Sequence, residues 1–232
     1  MSNNIPKCAQ CNISTGEKAC YSLNGRNPKF CPTVNNEKTI EYANQKYNHP
    51  ENKEFARQAA IQEGTCYIER DASPSILHPV KTRLQEICEF SWRMGYKRLG
   101  LAFCVGLSKE ASIFESILDK QGFEVVSVAC KVGCVPKEAI DLVEEEKVRI
   151  GGHESMCNPI AQAEVLNQAS TDFNVIMGLC VGHDSLFLKH AKALTTVFAV
   201  KDRVLAHNPL GALYTSHSYY QRFLRKPIDF KK

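Results

Sequence analysis

The feature that most constrains this chain is a series of short apolar runs, each followed by an amphipathic stretch. "KRLGLAFC" (97–104), "FEVVSVAC" (123–130), "FNVIMGLC" (173–180) and "TTVFAVK" (195–201) are continuous enough to be strands buried on both faces. Between them, "SKEASIFESILDKQG" (108–122), "NPIAQAEVLNQAS" (158–170) and "DSLFLKHAKA" (184–193) have helical spacing, with Ser108 as an N-cap and Pro159 in a first turn. Such alternation predicts a parallel sheet with helices on both faces. The expected fold class is α/β: a small doubly wound, Rossmann-like parallel sheet, here without a phosphate-binding glycine fingerprint. Upstream, "ENKEFARQAAIQEG" (51–64) reads as a polar connecting helix, and a helix opened by Pro79 runs to Gly95. "NPLGALYTSHSYYQRFL" (208–224) reads as one final helix.

Residues 1–35 are rich in Cys, Asn, Gly, Pro and Lys and poor in aliphatic side chains, so this segment cannot build its own core. The expected organisation is a Cys-rich segment (1–35), a helical connector (36–78) and the α/β domain (79–232). In "CAQCNISTGEKACYSLNGRNPKFCP", Cys8 and Cys11 form a Cys-x-x-Cys pair, with Cys20 and Cys31 to complete a four-sulfur shell. Uneven spacing and the Cys-Pro ending favour an iron–sulfur cluster, a 4Fe-4S centre, over zinc.

The chain has 232 residues, a net charge of +4 and eleven cysteines. Lysines and arginines are scattered, which argues against a nucleic-acid surface. The start has no signal-peptide layout and no apolar run reaches membrane-spanning length, so a cytoplasmic protein is expected, with no membrane partner. A reducing compartment disfavours structural disulfides, which turns the cysteine count toward metal or thiolate chemistry.

Three strands end on cysteine. Ligands of open α/β sheets bind beyond the carboxyl ends of the strands, where strand order reverses. With the strands at 97 and 173 as central neighbours, Cys104 and Cys180 would sit side by side there, and Cys157 would approach from the loop above. Three thiolates would hold a second cluster or metal with one open position, for redox or sulfur-transfer chemistry on a small molecule. His183 is the candidate acid/base and Asp184 its neighbour in the catalytic set, although Asp184 equally reads as a helix cap. Lys201 or Arg203 would anchor an anionic substrate, with Asn158 beside Cys157 as a further contact. Cys130 and Cys134 read as a redox dithiol, as alternative ligands or as packing; Cys66 and Cys88 are assigned to structure.

Two rival readings remain open. One is a non-catalytic, zinc-stabilised α/β module that binds a small ligand or metal. The other is a metal-free thiol enzyme with Cys180 as nucleophile, activated by His183.

The cysteine-rich start, "AFCVGLSKEA", "CKVGCVPKE", "GGHESMCNPIAQAE", "GLCVGHDSLF" and "AVKDRVLAHNPLGALYTSHSYY" together span nearly the whole chain. In these stretches it resembles a family of uncharacterised bacterial and archaeal proteins, defined as a domain of unknown function and commonly described as metal-binding. The resemblance implies metal binding at the amino end and brings no reaction with it. A looser analogy, to desulfidases with a cubane cluster held by three cysteines, shares only the three-thiolate arrangement.

Overall fold

The computed structural model describes residues 5–71 and 77–225. The chain divides into two compact units, Met1–Thr65 and Cys66–Lys232. In the first, 3-10 turns at Cys8–Gln10 and Thr15–Glu17 lead to a helical turn at Pro32–Asn35, then to α1 (Glu37–Gln45) and α2 (Pro50–Thr65).

In the second unit, a two-residue antiparallel pairing of Tyr67–Ile68 with His78–Pro79 precedes α3 (Arg83–Arg93). The helix starts later than Pro79 because Thr82 caps it, its hydroxyl accepting from Gln85 N–H at 3.3 Å. There follow β1 (Arg98–Phe103), α4 (Ser108–Lys120), β2 (Glu124–Ala129), α5 (Pro159–Gln168), β3 (Phe173–Met177), α6 (His183–His190) and β4 (Thr195–Ala199). The four strands form one parallel sheet in the order β2-β1-β3-β4. The expected α/β fold with a helix-flanked parallel sheet is therefore observed, and strand order reverses between β1 and β3.

Side chains alternate across the sheet, so each strand buries two sets. Ala102, Val128 and Ile176 face α5 and α6, where they pack with Ala163, Leu166 and Phe187. Leu99, Leu101, Val175 and Met177 are also fully buried or nearly so, as are Phe114 and Leu118 of α4. Phe114 meets Phe198 of β4 at 4.8 Å between ring centroids. Gln162 and Asn174 each make hydrogen bonds within this core, while Gln162 Oε1 and Asn174 Nδ2 meet no partner among the described residues. Gln162 of α5 donates from Nε2 to the carbonyls of Phe103 (3.2 Å) and Val128 (2.6 Å), and so ties the helix to the ends of β1 and β2. Asn174 accepts from the Thr171 hydroxyl at 2.8 Å.

Two local expectations are corrected. Ser108 does not cap α4: its hydroxyl donates to the Val105 carbonyl at 2.6 Å, and Val105–Leu107 forms a 3-10 turn that runs straight into the helix. Residues 208–224 are not one helix but Leu210–Tyr214 and Arg222–Arg225, separated by turns. Thr215 and Ser218 hydroxyls bond the carbonyls of Gly211 and Thr215, a local alternative to helix continuation.

Gly100 marks the tightest contact in the sheet. A Cβ there would lie 2.1 Å from Asn174 Oδ1 and 2.8 Å from a Leu166 methyl. Gly100→Ala is expected to lower stability by about 1–3 kcal/mol through overpacking, read as a reduced urea midpoint at unchanged slope.

Candidate functional site

The register of β1 on β2 builds the site. Ala102 pairs with Val128 and Phe103 with Ala129, so the next residues, Cys104 and Cys130, leave the sheet side by side and on the same face. Cys130 N–H donates to the Phe103 carbonyl at 2.9 Å and continues the ladder by one step. Both sulfurs enter the apolar cluster of Leu179, Phe187 and Ala163. Cys157 arrives from the loop before α5. Asn158 N–H donates to the Cys130 carbonyl at 2.8 Å, and the Cys157 and Cys130 sulfurs lie 3.8 Å apart.

Cys180 takes a different place from the one its sequence predicts. On β3, Met177 pairs with Phe103, so the residue level with Cys104 is Gly178. Gly178 has φ +67, and a side chain there would run into Leu107. This left-handed step turns the chain off the sheet, buries Leu179 and carries Cys180 outward. There its sulfur accepts a hydrogen bond from Arg203 Nη2 at 3.0 Å. The trio that converges is Cys104, Cys130 and Cys157, with Cys130 in the place expected for Cys180.

Among the described residues, no group of three or more His, Cys, Asp and Glu side chains is arranged to hold a metal ion. This overturns the iron–sulfur reading, its 4Fe-4S cofactor and the zinc alternative alike. At the amino end, Cys8, Cys11, Cys20 and Cys31 line one pocket of 110 Å³ together with Lys18 and Arg26, but they do not form such a group. At the sheet edge, the three-cysteine ligand set of Cys104, Cys157 and Cys180 is broken by the outward turn at Gly178 and the Arg203 contact.

The three converging thiols do not ionise alike. Cys104 is held down to about 4, first by the hydrogen bond from Cys130, against the opposing effect of burial. The Gly106 N–H and the Lys201 ammonium assist. Cys157 is held down to about 5, again first by Cys130, and then by the Lys131 ammonium and the electrostatic effect of His183. Cys130 is pushed up, because it donates to both neighbours and is buried. The three titrate as one system in which Cys130 keeps its proton and Cys104 and Cys157 are thiolates. Val105 N–H points at the Cys130 sulfur at 3.4 Å.

The other expected residues fall around this cluster. Asn158 is occupied as the N-cap of α5, its Oδ1 accepting from Ala161 N–H at 3.0 Å. Asp184 accepts from Gly182 N–H (3.0 Å) and Ser185 N–H (2.7 Å) and so organises the start of α6. His183 Nδ1 is buried and meets no hydrogen-bond partner among the described residues. Exposed Cys134 lies apart, 3.7 Å from His153 Nε2 and 3.4 Å from the Ser155 hydroxyl. Cys66 and Cys88 are buried, and the Cys66 thiol donates to Glu86 at 2.9 Å.

Lys131 and Gln162 belong to the site, and sequence reasoning passed over both. Lys131 bonds the Ser155 carbonyl and lends its charge to Cys157. The only sequence signal was position: Lys131 follows a strand-end cysteine, and Gln162 is a polar residue on the inward side of an apolar helix.

Because both depressed thiols owe most to the Cys130 proton, pH gives a direct test. Alkylation of Cys157 by iodoacetamide is expected to stay fast down to about pH 6 and to be half lost near 5. An ordinary thiol would be half lost near about 8.5. Cys130→Ala removes the donor and should move the midpoint upward; peptide mass spectrometry of Cys157 alkylation reads both.

The model for the family described as "Protein of unknown function (DUF1847)" matches residues 31–198. The chain is 45% identical over 225 residues to an uncharacterised protein of Methanocaldococcus jannaschii, MJ0455, with 97% of this chain and 100% of the relative covered. No solved structure matches the chain. The matched family span takes in all four strands of the sheet apart from the last residue of β4, and with them Cys104, Cys130, Cys157 and Cys180; the chain belongs to the DUF1847 family.

Proposed function

We propose that the chain is a thiol–disulfide exchange protein acting on a small-molecule disulfide, with Cys157 as the attacking thiolate and Cys130 as the resolving thiol. The observation that carries this reading is the 3.8 Å contact between the Cys130 and Cys157 sulfurs, with Cys104 as a second thiolate beside Cys130. It differs from the metal-free reading of the sequence in its nucleophile. Cys180 is engaged by Arg203, while His183 acts electrostatically on Cys157.

The steps balance without a further oxidant. The Cys157 thiolate attacks one sulfur of the disulfide; the substrate S–S bond breaks, and one thiolate leaves with the bonding pair. Cys157 is then in a mixed disulfide. The Cys130 proton passes to the Cys104 thiolate, its hydrogen-bond partner, and the Cys130 thiolate attacks the Cys157 sulfur. The second substrate thiolate leaves, and the substrate disulfide has been reduced to two thiols as Cys130 and Cys157 are oxidised to a disulfide. In this reading His183 stabilises a leaving thiolate. An external thiol would return the protein to its reduced state by the reverse exchange.

A small-molecule disulfide substrate and a reducing cytoplasm are part of this proposal, since that compartment would keep eleven thiols reduced between turnovers. Among the described residues, no helix is long and apolar enough to cross a membrane.

The test is trapping. Reduced protein treated with a small excess of the neutral disulfide of 2-mercaptoethanol and mapped without reduction should yield a peptide pair linked through Cys130 and Cys157. Cys130→Ser should instead accumulate the mixed disulfide on Cys157, and Cys157→Ser should abolish both species. Cys104→Ser should retain the mixed disulfide but slow its resolution by about 10²–10⁴-fold, the weight of a lost general base. No linked pair in the wild type, with Cys157 reacting no faster than buried Cys88, would remove the proposal.

A further inference from the structure

We propose that Lys201 and Arg203 form an anion subsite beside the thiol cluster, and that the disulfide the protein takes carries a negatively charged group. This rests on the exchange reading above and narrows its substrate class.

The two cations are presented by one turn after β4. Asp202 Oδ1 accepts from Val204 N–H (2.9 Å) and Leu205 N–H (2.8 Å), and Asp202 N–H donates to His207 Nδ1 at 3.1 Å. Lys201 N–H reaches the Leu179 carbonyl at 3.3 Å, which ties this turn to the segment leading to Cys180. The turn is thus held by its own backbone, and the side chains on either side of Asp202 project toward sulfur. Arg203 Nη2 lies 3.0 Å from the Cys180 sulfur. Lys201 Nζ and the Cys104 sulfur border the same space above Gly106, at 3.7 Å and 3.8 Å from where a Cβ would stand.

Neither cation forms an ion pair among the described residues. The nearest carboxylates in sequence are committed elsewhere: Asp202 to its own turn, and Asp184 to the amides that open α6. Lys131 adds a third cation beside Cys157. Lys201 is half-buried and Arg203 exposed; cations that meet only sulfur gain when an anion arrives, because a guanidinium exchanges a weak sulfur acceptor for a carboxylate or phosphate oxygen. The chemistry strengthens the preference as it proceeds. When Cys157 enters the mixed disulfide its negative charge is lost, and the surrounding cations are left less compensated.

The experiment compares a dianionic disulfide, dithiobis(nitrobenzoate), with a neutral one, dithiodipyridine, on the full reduced chain at about pH 7.5. Rates of thiol loss are read at Cys157 and at exposed Cys134 by quenched alkylation and peptide mass spectrometry. The anionic-to-neutral rate ratio at Cys157 should exceed that at Cys134 by about tenfold at low salt, and the excess should shrink at high ionic strength. Lys201→Gln and Arg203→Gln should each lower the ratio, whereas Arg203→Lys should keep most of it. A change in thiolate basicity alone would move both reagents together and leave the ratio intact. Equal ratios at the two cysteines would overturn the anion subsite and leave the exchange reading standing. Inertness of Cys157 toward both reagents would remove the exchange reading and this inference with it.

Discussion

The functional end of this protein depends on one constraint, the parallel register of β1 on β2. Pairing of Phe103 with Ala129 sends Cys104 and Cys130 off the sheet as neighbours on one face. A slip of one residue would turn one of the two sulfurs to the opposite face of the sheet, because side chains alternate with a period of two. Gln162 reinforces the register where the ladder ends, bonding the carbonyl of Phe103 on one strand and Val128 on the other. The amide of Asn158 bonds the Cys130 carbonyl, and so adds the third sulfur from the following loop.

Electrostatics then separates three chemically identical side chains. A thiol buried alone has its ionisation opposed by desolvation, as Cys88 illustrates: burial, with the charge of Glu89, pushes it up. In the cluster the same burial acts on all three sulfurs, but one proton shared from Cys130, together with Lys201, Lys131 and His183, overcomes it for Cys104 and Cys157. An apolar surround that would silence a single cysteine therefore becomes one that sorts a group of them into donor and thiolates.

Much of the architecture was legible in the residues. Continuous apolar strands separated by amphipathic helices have few solutions other than a covered parallel sheet, and the edge that carries the cysteines follows from strand direction alone. Cys104 in "AFCVG" and Cys180 in "GLCVG" each close an apolar run, and on that footing alone they are expected side by side. They differ in what precedes them: Phe103 is the last residue of its strand, whereas Gly178 and Leu179 already lie past the end of β3. The left-handed backbone at Gly178 shifts everything after it, and nothing in the local pattern distinguishes that glycine from a flexible one.

By itself, the sequence determined the fold class, the alternation of its elements and the gathering of thiols and cations at one edge of the sheet. These depend on local periodicity and on strand direction, which are written along the chain. Only the tertiary structure decided which sulfurs meet. It brought Cys130 rather than Cys180 to Cys104 and Cys157, set Arg203 against Cys180, and left the amino-terminal cysteines around a pocket without a metal-holding group. Ligand geometry and proton sharing depend on register and on backbone turns of a few ångströms, and spacing in the sequence does not specify either.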